Sequence, residues 1–234
     1  LCDDYLGYHY QHTGPNGTLT YGIIGDCETG IDELTATFAH EYIEASTDPG
    51  ESGGFYLELA KTSPWFALDG LENADLCDDA PYVTEAGFTY QRSWSNVAAA
   101  AALGSPCAPI VASDPFFDVS AEPDAIASVA AGETATFTLT GWSNAPVADW
   151  ELAHDASYYS ELEPTVEFSA KTINNGKTVT VTLGVPAGTK AGLLGTAMIY
   201  SGDGYGRFWP VTVRSKDGFA FNLERDAAPF TGQE

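Results

Sequence analysis

Between residues 133 and 215 the chain repeats short alternating segments rich in threonine and valine. They read ETATFTLTGW (133–142), TVEFSAKTI (165–173), KTVTVTLGV (177–185), LLGTAMIYSG (193–202) and RFWPVTVRS (207–215). A period of two puts every second side chain on one face, the pattern of a strand with one buried side. Turn signals separate the segments, among them Asn175-Gly176, Pro186-Ala187-Gly188 and Gly202-Asp203-Gly204. Strands at this spacing, with no helical period between them, predict an antiparallel β-sandwich over residues 110–234.

Residues 1–109 follow a different pattern and read as a mixed α and β unit. GTLTYGIIG (17–25) alternates as a strand, with Leu19, Tyr21 and Ile23 on one face. TGIDELTATFAHEYIEASTDPG (29–50) predicts a helix: Thr29 as N-cap, Asp32 and Glu33 in the first turn, and Pro49-Gly50 as the stop. Ile31, Leu34, Phe38, Tyr42 and Ala45 form its apolar stripe, which is expected to face the core. A glycine-rich loop, the acidic LENADLCDDAP and the strand-like GFTYQRSWSN follow. The boundary between the two halves falls near residues 108–113.

With 44% hydrophobic residues the 234-residue chain can bury a core, which excludes wholesale disorder. No apolar run approaches the roughly 20 residues of a membrane-spanning helix. Acidic residues number 33 against 9 basic ones, for a net charge of −24. Only Lys61 and Arg92 are basic before Ser113. Nucleic acids and anionic membrane surfaces are therefore poor partners, and no nucleic acid is expected among them, since both need basic patches. Most of this acidity reads as solvated surface; cation capture is its functional alternative.

The four cysteines Cys2, Cys27, Cys77 and Cys107 form no C-x-x-C pair, which argues against a zinc knuckle. Their even number in an acidic, lysine-poor chain predicts two disulfides and a secreted protein. Of the three pairings possible, Cys2–Cys27 and Cys77–Cys107 are favoured, because each closes a local loop around a motif. The chain opens at Leu1 with neither methionine nor signal peptide, so the expectation is that a leader, with or without a pro-segment, has been removed or is left out of this sequence.

On the expected helix, His40, Glu44 and Asp48 lie along one face, since steps of four residues drift by only about 40°. An imidazole and a carboxylate one turn apart can chelate a divalent cation. In H-E-x-x-H helices the glutamate after the first histidine activates a metal-bound water. By that analogy His40 and Glu44 are metal ligands and Glu41 the general base. A carboxylate in the second histidine's place keeps zinc acceptable and makes calcium or manganese more competitive. A further ligand must come from elsewhere. DGLENADLCDD supplies Asp69, Glu72, Asp75, Asp78 and Asp79, with Glu72 or Asp75 as the candidates. His9 and His12 offer a ligand or substrate contact against the commoner structural role, and His154 reads as structural or exposed. No G-x-S-x-G elbow, P-loop or dinucleotide fingerprint is present, Ser95 lacks a neighbouring base, and nothing in the spacing favours a paired-carboxylate glycosidase.

The ordered motifs YLGYH (5–9), AHEYIEASTDP (39–49), ADLCDD (74–79) and RSWSN (92–96), followed by a cysteine, resemble a secreted zincin-like family of metallopeptidases. The plant phosphate-induced, exordium-like proteins look similar in this region. AAGETATFTLT and VPAGTKAG resemble immunoglobulin-like modules that follow catalytic domains in secreted bacterial proteins. The resemblance implies an α+β zincin-like domain over 1–109, incomplete at its N-terminus, followed by an immunoglobulin-like sandwich over 110–234. It implies His40, Glu41 and Glu44 in the motif positions, with Glu72 and Asp75 in the acidic segment. The strands that precede G-Y-H in the family are missing, so the chain's own cleaved N-terminal segment is an expected partner.

The function expected from these features is a secreted zinc-dependent endopeptidase acting on protein or peptide substrates. Glu41 deprotonates the metal-bound water, and Tyr90 or His9 steadies the oxyanion. The alternative, from a different class, is a non-catalytic extracellular or cell-wall protein with structural calcium and an adhesive sandwich. In that sandwich Tyr205, Phe208 and Trp209 either contact carbohydrate or pack as strand aromatics usually do.

Overall fold

The computed structural model describes residues 2–3, 5–50, 57–78, 80–100, 105–110, 115–157, 160–202 and 207–216; Asp79, Tyr205 and residues 111–113 of the expected boundary lie outside them. Gly7–Gly14 (β1) and Gly17–Ile24 (β2) form an antiparallel hairpin. Ile31–Thr47 (α1) is the one long helix among the described residues. Its N-cap is Gly30 rather than Thr29, with φ 94° and no side-chain cap. That left-handed backbone suits glycine, which carries no Cβ. Smaller pieces follow: Val83–Glu85 (β3) pairs with Phe88–Tyr90 (β4), and Ser93–Trp94 (β5) and Cys107–Ala108 (β6) flank the short helix Asn96–Ala100 (α2). Single 3-10 turns occupy Phe66–Leu68 and Asp75–Cys77.

Among the described residues nine strands then build two facing sheets: Phe117–Glu122 (β7), Ala127–Ala130 (β8), Thr134–Ser143 (β9), Trp150–Asp155 (β10), Thr165–Phe168 (β11), Thr172–Ile173 (β12), Thr178–Gly184 (β13), Leu194–Ser201 (β14) and Phe208–Lys216 (β15). One sheet has the order β12-β10-β14-β15-β8 and the other β11-β13-β9-β7. Pairing is antiparallel except where β8 joins β15 in parallel. Alternate residues of both sheets meet in the middle: Val119, Phe137, Leu139, Val181 and Leu183 from one, Ile199, Val211 and Val213 from the other. All of these are at most 2% exposed, so the sandwich holds the main apolar core.

The expectation of an α+β zincin-like domain is overturned. Residues before β7 supply one long helix, a two-stranded hairpin and short ribbons, and the described chain is β-dominated. No broad sheet stands behind α1 among the described residues. The helix also faces the opposite way from its apolar stripe. Ile31, Phe38 and Tyr42 are 59%, 57% and 62% exposed, whereas Glu41, Glu44 and Asp48 are 8%, 2% and 1% exposed. α1 therefore turns its acidic face inward.

The remaining apolar contacts tie this part of the chain to the sandwich. Trp65 meets Trp209 edge-on at 4.6 Å, and Ala67 and Leu68 pack with Met198 and Phe208. Phe208 and Trp209 thus serve packing rather than standing free. The Thr212 hydroxyl donates to the Pro64 carbonyl at 2.8 Å, and Arg214 donates to the Lys61 carbonyl at 2.6 Å. A cavity of about 620 Å³ lies at this junction, walled by Trp65, Trp94, Trp142 and Trp209.

This arrangement separates two classes of apolar residue. Replacing exposed Phe38 or Tyr42 with Ser should change unfolding free energy by no more than about 0.5 kcal/mol. Phe137→Ala in the sandwich should cost about 3–5 kcal/mol. Urea titration checks both; a multi-kcal/mol loss at Phe38 would mean that the apolar stripe is buried after all.

Candidate metal centre

The inward face of α1 meets β1 because Gly7 lets the two backbones approach. A Cβ at Gly7 would lie 2.8 Å from Thr37 Cγ2 and 3.0 Å from Glu41 Oε1. His9, two residues on, shares that face of the strand and lands over the helix. Its Nε2 sits 2.9 Å from the Asp48 carbonyl oxygen, which can only accept, so this nitrogen carries the proton. Nδ1 then points at Glu41 Oε2, 3.2 Å away, and at Glu44 Oε2, 3.7 Å away.

His40 is oriented in the same manner from the other side. Its Nδ1 lies 3.1 Å from Gln91 Oε1. The Gln91 amide is fixed by donating its own NH₂ to the Ala74 carbonyl at 3.0 Å, so Oε1 is the acceptor. His40 Nε2 faces Glu44 Oε2 at 3.0 Å and Asp75 Oδ1 at 3.5 Å. Glu44 Oε1 accepts the Asp75 backbone N–H at 3.3 Å, and Asp75 Oδ2 accepts that of Glu72 at 2.9 Å. The Cys77–Cys107 disulfide anchors this turn, and Cys2–Cys27 closes the hairpin region; both match the expected pairing.

Each imidazole thus spends the single proton of its neutral form on an uncharged carbonyl oxygen, and its other nitrogen faces carboxylates. Two lone pairs at 3.0–3.2 Å repel unless something positive lies between them. Without metal that is a second proton. Burial works against a charged His40, yet the hydrogen bond and charge of Glu44, with Asp75 and Glu41, raise its pKa to about 9. Burial likewise opposes charge on His9, and Glu72, Glu41, the Asp48 carbonyl and Glu44 overcome it and raise the pKa. Burial first, then Glu44, pushes Glu72 up to about 7 and raises Asp75; burial also raises Glu41.

A divalent cation replaces such protons. The donor atoms form two groups, His9–Glu41–Glu44 and His40–Glu44–Asp75, each with its atoms within 4.8 Å of one another. A tetrahedral ion with bonds of about 2.0–2.1 Å has ligand edges of about 3.3–3.4 Å, which brackets well with the observed 3.0–3.7 Å contacts. Two imidazoles with carboxylates suit zinc better than calcium, which takes oxygen ligands.

Of the residues singled out in the sequence, His9, His40, Glu41, Glu44 and Asp75 therefore converge. Glu72 stands at the edge, 3.4 Å from His9 Nε2 and in neither group. Glu41 hydrogen-bonds His9 and stands among the donor atoms instead of apart from them as a free base. Tyr90 does not join: it alternates with buried Thr89 and Gln91 and is 37% exposed. His12 is exposed, and His154 lies against Phe168. Gln91 escaped the sequence reading, because an amide beside GFTY has no motif to mark it.

No protein family matches the chain by its sequence profile, and no curated protein matches it. Among solved structures, domains 4 and 5 of the S-layer protein SbsC are 22% identical over 44% of this chain, with a TM-score of 0.32. The chain spans 53% of the length of that structure. Domains 1–6 of SbsC are 24% identical over 46% of this chain and 14% of theirs, with a TM-score of 0.33. The BIgI domain of beta protein from S. agalactiae is 15% identical over 43% of this chain and 97% of its own, with a TM-score of 0.27. These are surface-layer and immunoglobulin-like domains. The β-dominated architecture overturns the zincin-like family assignment, which no family model supports, and with it the hydrolase and metalloprotease reading that rested on it.

The protonation pattern fixes a pH dependence for the metal-free protein. His40 and Glu72 hold their protons more tightly folded than unfolded, with folded values of about 9 and about 7. The sandwich adds Asp118, pushed by burial to about 7. Glu72 and Asp118 lose their contribution as pH rises from the ordinary carboxylate range to about 7, and His40 loses its own between about 6.5 and 9. Thermal unfolding in chelator should therefore show stability falling steadily from pH 5 to pH 9; a rise over that window would contradict the geometry.

Proposed function

We propose that this chain is a non-catalytic extracellular or cell-surface protein built around a structural divalent cation, with zinc as the best fit. The carrying observation is the orientation of His9 and His40: each is pinned by a carbonyl oxygen so that its other nitrogen faces buried carboxylates. Such a cluster is unstable as bare charge, because an unpaired buried carboxylate costs several kcal/mol. A cation replaces that penalty with coordination and joins β1, α1 and the Asp75 turn. The two disulfides and the acidic composition support an oxidising setting outside the cell. In this reading the sandwich is the adhesive body, and the cation-bound segment packs against it through Trp65 and Trp209.

Metal-free protein given zinc at 100 times its dissociation constant should gain about 2.7 kcal/mol of stability. For a chain of this size that raises Tm by about 5–10 °C. Calorimetry with zinc, and separately with calcium, checks this. Zinc-loaded protein should leave a denatured casein substrate intact. No Tm shift with zinc, or casein cleavage that Glu41→Gln abolishes, would overturn the proposal.

A further inference from the structure

We infer that the centre holds two divalent cations bridged by the carboxylate of Glu44, an inference that rests on the cation-binding reading above and extends it. The donor atoms of the described residues divide into two groups that share Glu44, and neither group contains both imidazoles. A single zinc-sized ion draws its ligands to within about 3.4 Å of one another, so it cannot take His9 and His40 together from these positions. Glu44 Oε2 stands between the two, 3.7 Å from His9 Nδ1 and 3.0 Å from His40 Nε2. Its other oxygen is held by the Asp75 amide, which fixes the carboxylate where a bridge belongs. Each ion then keeps one imidazole and one carboxylate of its own: His9 with Glu41, and His40 with Asp75.

Charge favours the same count. Glu41, Glu44, Asp48, Glu72 and Asp75 bring five carboxylates to one small region against two neutral imidazoles. One dication leaves most of that charge unmatched, and two come close to cancelling it. Asp48 is an independent sign that favours a cation nearby. Its carboxylate lies one helical turn beyond Glu44, is 1% exposed, and has no hydrogen-bond partner on either oxygen. Its backbone carbonyl accepts from His9 Nε2, and its carboxylate is near enough to Glu72 to help raise that group's pKa, while belonging to neither donor group. Carboxylate-bridged pairs of ions about 3.5–4 Å apart are an established arrangement in two-metal sites.

The test is the stoichiometry of the full chain. Chelator-treated protein is titrated with zinc by calorimetry, and the dialysed product is measured by plasma mass spectrometry. Two equivalents are expected, falling to one in His9→Ala and to one in His40→Ala. Cobalt-loaded wild-type protein should show spin coupling in its electron paramagnetic resonance spectrum at two equivalents and not at one, which needs no variant. One equivalent without coupling overturns the bridged pair and leaves the single-cation reading intact. No bound zinc overturns both.

Discussion

A helix that buries carboxylates and exposes phenylalanine must be held by something other than the hydrophobic effect. In α1 that something is the set of imidazole–carboxylate contacts centred on Glu44, 2% exposed and reached by His9, His40 and the Asp75 amide. β1 lies where it does because Gly7 admits the helix and His9 spans from the Asp48 carbonyl to Glu41. The acidic turn lies where it does because Asp75 closes on His40 and Cys77 is tied to Cys107. Remove the positive charge from this cluster and the segments before the sandwich lose their common anchor.

The two halves of the described chain thus rest on different physics. The sandwich is an apolar core of interdigitating strands, and its strongest residues are Val, Leu, Ile and Phe at nearly zero exposure. The N-terminal part buries few large apolar groups and depends on polar contacts whose strength varies with protons and metal. Residues outside the coordination groups set their geometry. The Asp48 carbonyl and the Gln91 amide each select one tautomer and so decide which nitrogen faces the carboxylates.

The strand periodicity of residues 133–215 carried its message well, since a period of two and a turn signal are local properties. The Asn175-Gly176 turn falls between β12 and β13, and β9, β13, β14 and β15 follow the alternating segments closely. The disulfides were legible too, because two short loops are the economical way to pair four cysteines. The orientation of α1 was not. Its apolar stripe is a property of the helix alone, whereas its buried face is decided by residues 9, 72, 75 and 91, which are distant in sequence. The zincin-like reading failed for a related reason: H-E-x-x-E specifies a local chelating geometry, which a helix beside a two-stranded hairpin can offer without any zincin sheet. Gln91 shows the limit from the other side, since its role exists only once His40 is placed.

Once metal replaces the proton, both imidazoles present a fixed, proton-free nitrogen to the carboxylate cluster. Long-range proton–nitrogen correlation spectra of ¹⁵N-histidine-labelled, zinc-loaded protein read this directly. His9 should keep its proton on Nε2 with a metal-shifted Nδ1, and His40 should keep its proton on Nδ1 with a metal-shifted Nε2. Reversed tautomers, or spectra of both rings unchanged by zinc, would contradict it.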